Sequence, residues 1–248
     1  MEDISCLSQK IGEQSIHTFR EVWNSLLSGY INNGLIEDVK ALFEDMPEKN
    51  IISWTSMMIG YVQKDLPEKG LNLLAKNYSG EEGSRIEGNC LTFVMALEAC
   101  SHLIDLDKGK QIHAKIIRAL PDADGNVSVG TTLVDMYSKS GSLCYTLRFF
   151  DAMKEKNVVS WTSAIMSFAV HGLAFQVVEL FQRMVNMVIN PNEVTFTAVL
   201  TASSHCGLVD EGMQYFTQMR NRYGLTPKEE HYTCIIDLLG RNERPEEA

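Results

Sequence analysis

Apolar and polar residues alternate along this chain with the spacing of paired helices. Trp161, Ile165 and Phe168 fall at i, i+4 and i+7, one face of a helix. His171-Gly172 interrupt the pattern, and Val177, Leu180, Phe181 and Met184 then form a second stripe at i, i+3, i+4 and i+7. Asn190-Pro191-Asn192 close it, because proline cannot continue a helix and asparagine favours turns. The same scheme precedes it: Leu133, Met136 and Tyr137, then Ser140-Gly141, then Leu147, Phe150 and Met153. A two-helix hairpin of about 35 residues cannot bury its own apolar face, so neighbours must stack on it. The pattern therefore predicts an all-α fold, an α-solenoid of stacked helix-turn-helix repeats with one inner and one outer row of helices.

The chain also repeats itself in residue identity. Asn50-Ile-Ile-Ser-Trp-Thr-Ser56 returns as Asn157-Val-Val-Ser-Trp-Thr-Ser163, displaced by 107 residues. Asn89, Thr92, Phe93, Leu97, Ala99, Ser101, His102, Asp107, Gly109 and Gln111 return at 192–214, displaced by 103. The difference of four falls between 56 and 89, where Asn77 to Gly88 reads as a loosened, loop-like insert. The super-repeat divides into three units, giving six repeats at 20–50, 51–89, 90–126, 127–157, 158–192 and 193–228. Residues 1–19 read as an incomplete N-terminal segment or degenerate repeat, and 229–248 as a truncated seventh repeat. The chain is accordingly expected to be part of a longer one.

Composition narrows the function. Hydrophobic residues make up 45% and charged residues 22%, as in ordinary globular proteins, and no apolar run is long enough for a bilayer. The net charge of −10 argues against wrapping duplex nucleic acid, which needs a basic face. Six cysteines contain no CxxC pair and are expected to be reduced, small core hydrophobes. No His-x-Glu stands ahead of a Pro-Cys-x-x-Cys, the spacing of the zinc deaminases. No nucleophile triad stands out either, so no catalytic residue, metal ligand or cofactor is expected, nor a membrane or small-molecule partner. The scattered histidines, His205 beside Cys206 among them, are expected to pack or face solvent.

Two segments, WNSLLSGYINNGLIEDVKALFEDMPEKN and VVSWTSAIMSFAVHGLAFQVVELFQRMVNMVINPN, resemble pentatricopeptide repeats. The short, long and standard unit lengths, with GKQIHAKIIRA (109–119) and EEHYTCIIDLLGR (229–241), resemble the plant PLS subclass. The resemblance covers about 20–248. It implies sequence-selective binding of single-stranded organellar RNA in the mitochondrion or chloroplast, about one base per repeat. The implied role is site recognition for C-to-U editing, with editing-complex proteins or a deaminase acting in trans.

Base reading then falls on a polar residue early in each first helix and on the last residue of the repeat. Carried over, these are Asn24 and Asn50, Thr55 and Asn89, Thr131 and Asn157, and Thr162 and Asn192. Val94 pairs with Asn126, Thr197 with Lys228, and Thr233 stands in the last unit. The base-packing positions are Ile52, Leu91, Val159 and Val194, while Glu21, Ser128 and Glu230 depart from the apolar rule. By the family's rules Thr with Asn favours adenine and Asn with Asn a pyrimidine, so the expected site runs pyrimidine-A-x-A-A-x. Each asparagine also suits a helix cap, and both roles are compatible. Trp23, Trp54 and Trp161 share the spacing of core residues and are expected to pack inside. The competing function is a protein-binding scaffold without RNA specificity, which the acidic balance favours.

Overall fold

Five helices begin at an asparagine. In the computed structural model, which describes residues 20–79, 88–120 and 126–242, Asn50, Asn89, Asn126, Asn157 and Asn192 are N-caps. Each accepts through its side-chain oxygen the backbone N–H of the third helical residue. An extended cap residue with a short acceptor satisfies a donor that the helix itself cannot.

Thirteen helices lie among the described residues, with no strand. In chain order they are α1 (20–32), α2 (Ile36–Asp45), α3 (Ile51–Gln63), α4 (Pro67–Ser79), α5 (Cys90–Leu103) and α6 (Leu106–Ala119). There follow α7 (Val127–Lys139), α8 (Leu143–Ala152), α9 (Val158–Ala169), α10 (Ala174–Asn186), α11 (Glu193–Cys206), α12 (Val209–Asn221) and α13 (Glu229–Arg241). No described helix is long and apolar enough to cross a membrane.

The chain forms two compact units, Met1–Pro121 and Asp122–Ala248. In the first, α3 packs on both α4 and α5. Its core gathers Leu27, Val39, Phe43, Trp54 and Met57, with Trp54 edge-on to Phe43 at 5.1 Å. In the second, α9 packs on α7, α10 and α11, and α11 on α12 and α13. Its core gathers Phe150, Trp161, Ile165, Leu180, Phe181 and Phe196, and Trp161 meets Phe150 edge-on at 4.8 Å. Within each unit the odd-numbered helices thus form one row, with the even-numbered ones beside it. This is the α-solenoid architecture, built twice from the same Phe–Trp joint.

Tight left-handed turns close the hairpins. Gly141 (φ 72°) passes its N–H to Ser138, and Ser142 passes its own to Tyr137, so the last carbonyls of α7 are used. Ile104 (φ 54°) stands in the same conformation at the end of α5, exposed and strained. Left-handed geometry costs a β-branched residue about 1–2 kcal/mol, partly offset by the extra unfolded-state freedom of glycine. Ile104→Gly is expected to stabilise the first unit by up to ~1 kcal/mol, read as a raised denaturation midpoint.

Two expectations need correction. Asn77, Tyr78 and Ser79 belong to α4, not to a loop, because the helix continues through them; 80–87 lie outside the described residues. So do 1–19 and 243–248, on which the reading of a degenerate first segment and the end of the last repeat falls. Among the described cysteines only Cys100 is fully buried, and burial pushes its thiol up to about 12; Cys144 and Cys206 are exposed. An apolar neighbourhood in sequence does not give a half-buried helix side chain an inward direction.

Candidate nucleic-acid interface

The first turns of the odd-numbered helices repeat one constellation. Ile52, Leu91, Val159 and Val194, one residue into their helices, are 55%, 49%, 56% and 52% exposed. The cap asparagine lies two residues before each. Glu21, Ser128 and Glu230 occupy the same register and are exposed too. A large aliphatic side chain left half in water at a fixed step gains free energy when a flat apolar surface covers it.

Behind this layer stand the residues expected to read bases. Asn50, Asn126 and Asn192 are half-buried, and Asn89 and Asn157 exposed. Thr55 and Thr162, expected to be presented outward, are only 3% and 7% exposed. They lie in the seams between α3 and α5 and between α9 and α11. Thr55 Oγ1 is 2.9 Å from Thr92 Oγ1, and Thr162 Oγ1 is 2.7 Å from Thr195 Oγ1. Thr92 and Thr195 in turn donate to Asn89 Oδ1 and Asn192 Oδ1 at 3.0 and 2.9 Å. In both repeats the threonine and the terminal asparagine are therefore joined through a threonine of the next repeat.

The other repeats differ at that linking residue. Ser53 and Ser160 stand in the place of Thr92 and Thr195, but their hydroxyls turn back to the main-chain oxygens of Asn50 and Asn157, each at 2.9 Å. Asn24 Oδ1 and Thr131 Oγ1, one helix earlier in the row, are then closed off with no hydrogen-bond partner. In α13 the place belongs to the buried His231. Its Nδ1 accepts from Lys228 N at 3.0 Å, so Nε2 carries the proton and donates to the Glu193 carbonyl at 2.9 Å, with Thr197 Oγ1 at 3.3 Å. Thr233 is exposed and donates to the Glu229 carbonyl. The sequence shows Thr92 and Thr195 only as repeat identities; the signal for their placement is a hydroxyl three residues after each asparagine, the spacing of a capping box.

Charge along the row is balanced rather than basic. Lys139 pairs with Asp135 at 2.9 Å and Arg241 with Asp237 at 2.7 Å. The Ser204 hydroxyl, and then Arg241, hold the Asp237 carboxyl below its ordinary value. Lys228, the terminal residue of its repeat, is ion-paired with Glu193, whose hydrogen bond and charge raise the ammonium. Among the described residues no group of three or more His, Cys, Asp or Glu is placed to hold a metal.

The family model of the PPR repeat matches residues 21–51, 52–76, 159–187, 194–223 and 230–248, more than half of the chain. The chain belongs to the pentatricopeptide repeat family. A pentatricopeptide repeat-containing protein of Arabidopsis thaliana is 40% identical over 227 residues, covering 92% of this chain and 27% of the relative. A chloroplastic one from the same plant is 38% identical over 236 residues, 92% of this chain and 26% of its own length. This pentatricopeptide repeat chain thus spans about a quarter of each of those relatives. Among solved structures, maize PPR10 superposes with a TM-score of 0.66 at 19% identity over 89% of this chain and 32% of PPR10. PPR10 in complex with an 18-nt psaJ RNA element gives 0.55 at 11% identity, over 96% of this chain and 41% of that one. The PPR domain of Arabidopsis thaliana protein-only RNase P 1 in complex with tRNA gives 0.56 at 16% identity, over 74% of this chain and 95% of that one.

Proposed function

We propose that this chain binds single-stranded RNA with sequence selectivity, about one base per repeat. The single observation supporting this is the recurrence, in four of the first helices (α3, α5, α9 and α11), of a half-exposed aliphatic residue two positions after a cap asparagine. The aliphatic side chain covers a base face, and the asparagine amide meets the base edge. Stacking on aromatics is worth about 1–3 kcal/mol per base, and an aliphatic contact gives the lower part of that range. The asparagine, the more exposed partner, makes the edge contact, while the buried threonine sets what that contact can be. PPR10 and the RNase P domain bear RNA in their solved complexes, which supports the same use of the shared fold.

The finer reading assigns the chain to the PLS subclass, in an organellar factor that recognises sites of C-to-U editing. Chloroplastic relatives and the unit lengths support it. Paired cations and a net charge of −10 give modest affinity and a shallow salt dependence. Those same charges favour the alternative, a protein-binding scaffold. Fluorescence anisotropy in about 50 mM salt, where phosphate contacts are least screened, separates the two. An RNA running pyrimidine-A-x-A-A-x is expected to bind at least tenfold tighter than its scramble. Equal binding of both removes the base-reading role.

A further inference from the structure

The contrast between threonine and serine at the linking position has a consequence for selectivity. Asn192 Oδ1 accepts from both Thr195 N and Thr195 Oγ1, each at 2.9 Å. A backbone N–H can bond only to the amide oxygen, so the orientation of the side chain is fixed and Nδ2 is the group left for a ligand. Thr195 has spent its one proton on Asn192, so the 2.7 Å bond from Thr162 must be donated by Thr162. The Thr162 oxygen then has only lone pairs to offer. Asn89 Oδ1 likewise accepts Thr92 N at 2.9 Å and Thr92 Oγ1 at 3.0 Å, but the Thr55 hydroxyl donates to the Ile51 carbonyl at 2.7 Å, so its proton is held within its own helix and not by Thr92. Each linked pair is thereby locked as one acceptor and one donor. That polarity complements a base edge with an amino group beside an unprotonated ring nitrogen, as in adenine and cytosine. Guanine and uracil present the reverse, a carbonyl beside a ring N–H.

Where serine replaces the link, Asn50 and Asn157 are still oriented by the backbone N–H groups they cap, but the other member of each pair is not held. The Thr131 hydroxyl has no bond to direct its proton, and Asn24 Oδ1 has no donor to hold it.

Resting on the RNA-binding reading above, we propose that Thr195 is a positioning residue for base selection. It belongs to one repeat but directs the Thr162 proton, and with it the hydrogen-bond polarity of the reading pair, in the repeat before it. Ser53 and Ser160 leave Asn24 and Thr131 undirected beside the capped Asn50 and Asn157, so those repeats discriminate less.

The test compares RNAs carrying A, C, G or U at the nucleotide facing one repeat, bound to the full chain. Thr195→Val keeps the side-chain shape and removes the link. The ratio of adenine to guanine affinity facing Thr162/Asn192 is expected to fall about tenfold, the effect of one buried polar group left without its partner. The ratios at other nucleotides stay unchanged. Ser160→Thr is the converse variant and is expected to raise the same ratio severalfold facing Thr131/Asn157. Melting temperatures measured alongside separate selectivity from folding. RNA binding with both ratios unmoved, or a uniform loss at every nucleotide, overturns the positioning role while leaving RNA binding intact. Failure of the unaltered chain to select any RNA overturns both readings.

Discussion

Phe196→Ala is expected to lower the unfolding free energy of the second unit by about 3–5 kcal/mol. The ring is fully buried, with its centroid 5.6 Å from Phe181 and 5.4 Å from Tyr223, and Phe181 in turn meets Tyr215 at 5.4 Å. Removing it opens a cavity where α10, α11 and the segment after α12 converge, and strips two edge-to-face contacts of one member. A globular unit of this size holds only about 5–15 kcal/mol in total, so the loss is a large share. Stacked hairpins depend on their nearest neighbours, so the damage should reach α9 and α13 before α7. The midpoint of thermal unfolding should fall by about 10 °C or more, with hydrogen exchange accelerated first in α11 and α13. A shift below about 2 °C would mean that the aromatic joint contributes little and that hairpin propensity alone holds the stack.

The same aromatic register explains why so much of the fold was legible. The fourth residue of successive units is Trp23, Trp54, Phe93, Gly130, Trp161, Phe196 and Tyr232, and Trp54, Phe93, Trp161 and Phe196 are all deeply buried. Where Gly130 breaks the series, Met153 fills the space: a Cβ added there would meet its Cε at 2.7 Å. Periodicity with asparagine and glycine at the turns was enough to place hairpins, because each signal acts within a few residues. The α4 terminus was not legible, since Asn77 to Ser79 have turn-forming identities yet sit on a helix with enough burial to continue it, Asn77 being 3% exposed. The residue types at the proposed reading register stand in the sequence, but their exposure does not. A threonine four residues into a helix says nothing of how close the next hairpin lies, and that distance puts Thr55 and Thr162 in a seam. The Thr–Thr–Asn link joins residues 37 and 33 positions apart, so it exists only once hairpins stack.

Asn192 caps α11 and, in the proposed function, also meets a base edge, and one substitution separates the two. Asn192→Asp is expected to leave the melting temperature unchanged or slightly raised. Aspartate caps a helix as well as asparagine does, its oxygen can still take Thr195 N–H and Thr195 Oγ1–H, and its charge suits the helix N-terminus by about 0.3–1 kcal/mol. The base contact changes sign, because the Nδ2 donor becomes a carboxylate acceptor. An adenine ring nitrogen facing it loses its hydrogen bond, while a ring N–H in guanine or uracil gains one. With one unmatched polar group worth about 1–3 kcal/mol, the adenine-to-guanine ratio at that nucleotide should move by about 10- to 100-fold toward guanine. Asn192→Ala serves as the contrast. It loses the cap, costing about 0.5–2 kcal/mol of stability, and lowers selectivity without reversing it. If aspartate and alanine lower adenine binding alike and neither gains guanine, the asparagine is a cap alone, and the row of polar residues has no part in choosing a base.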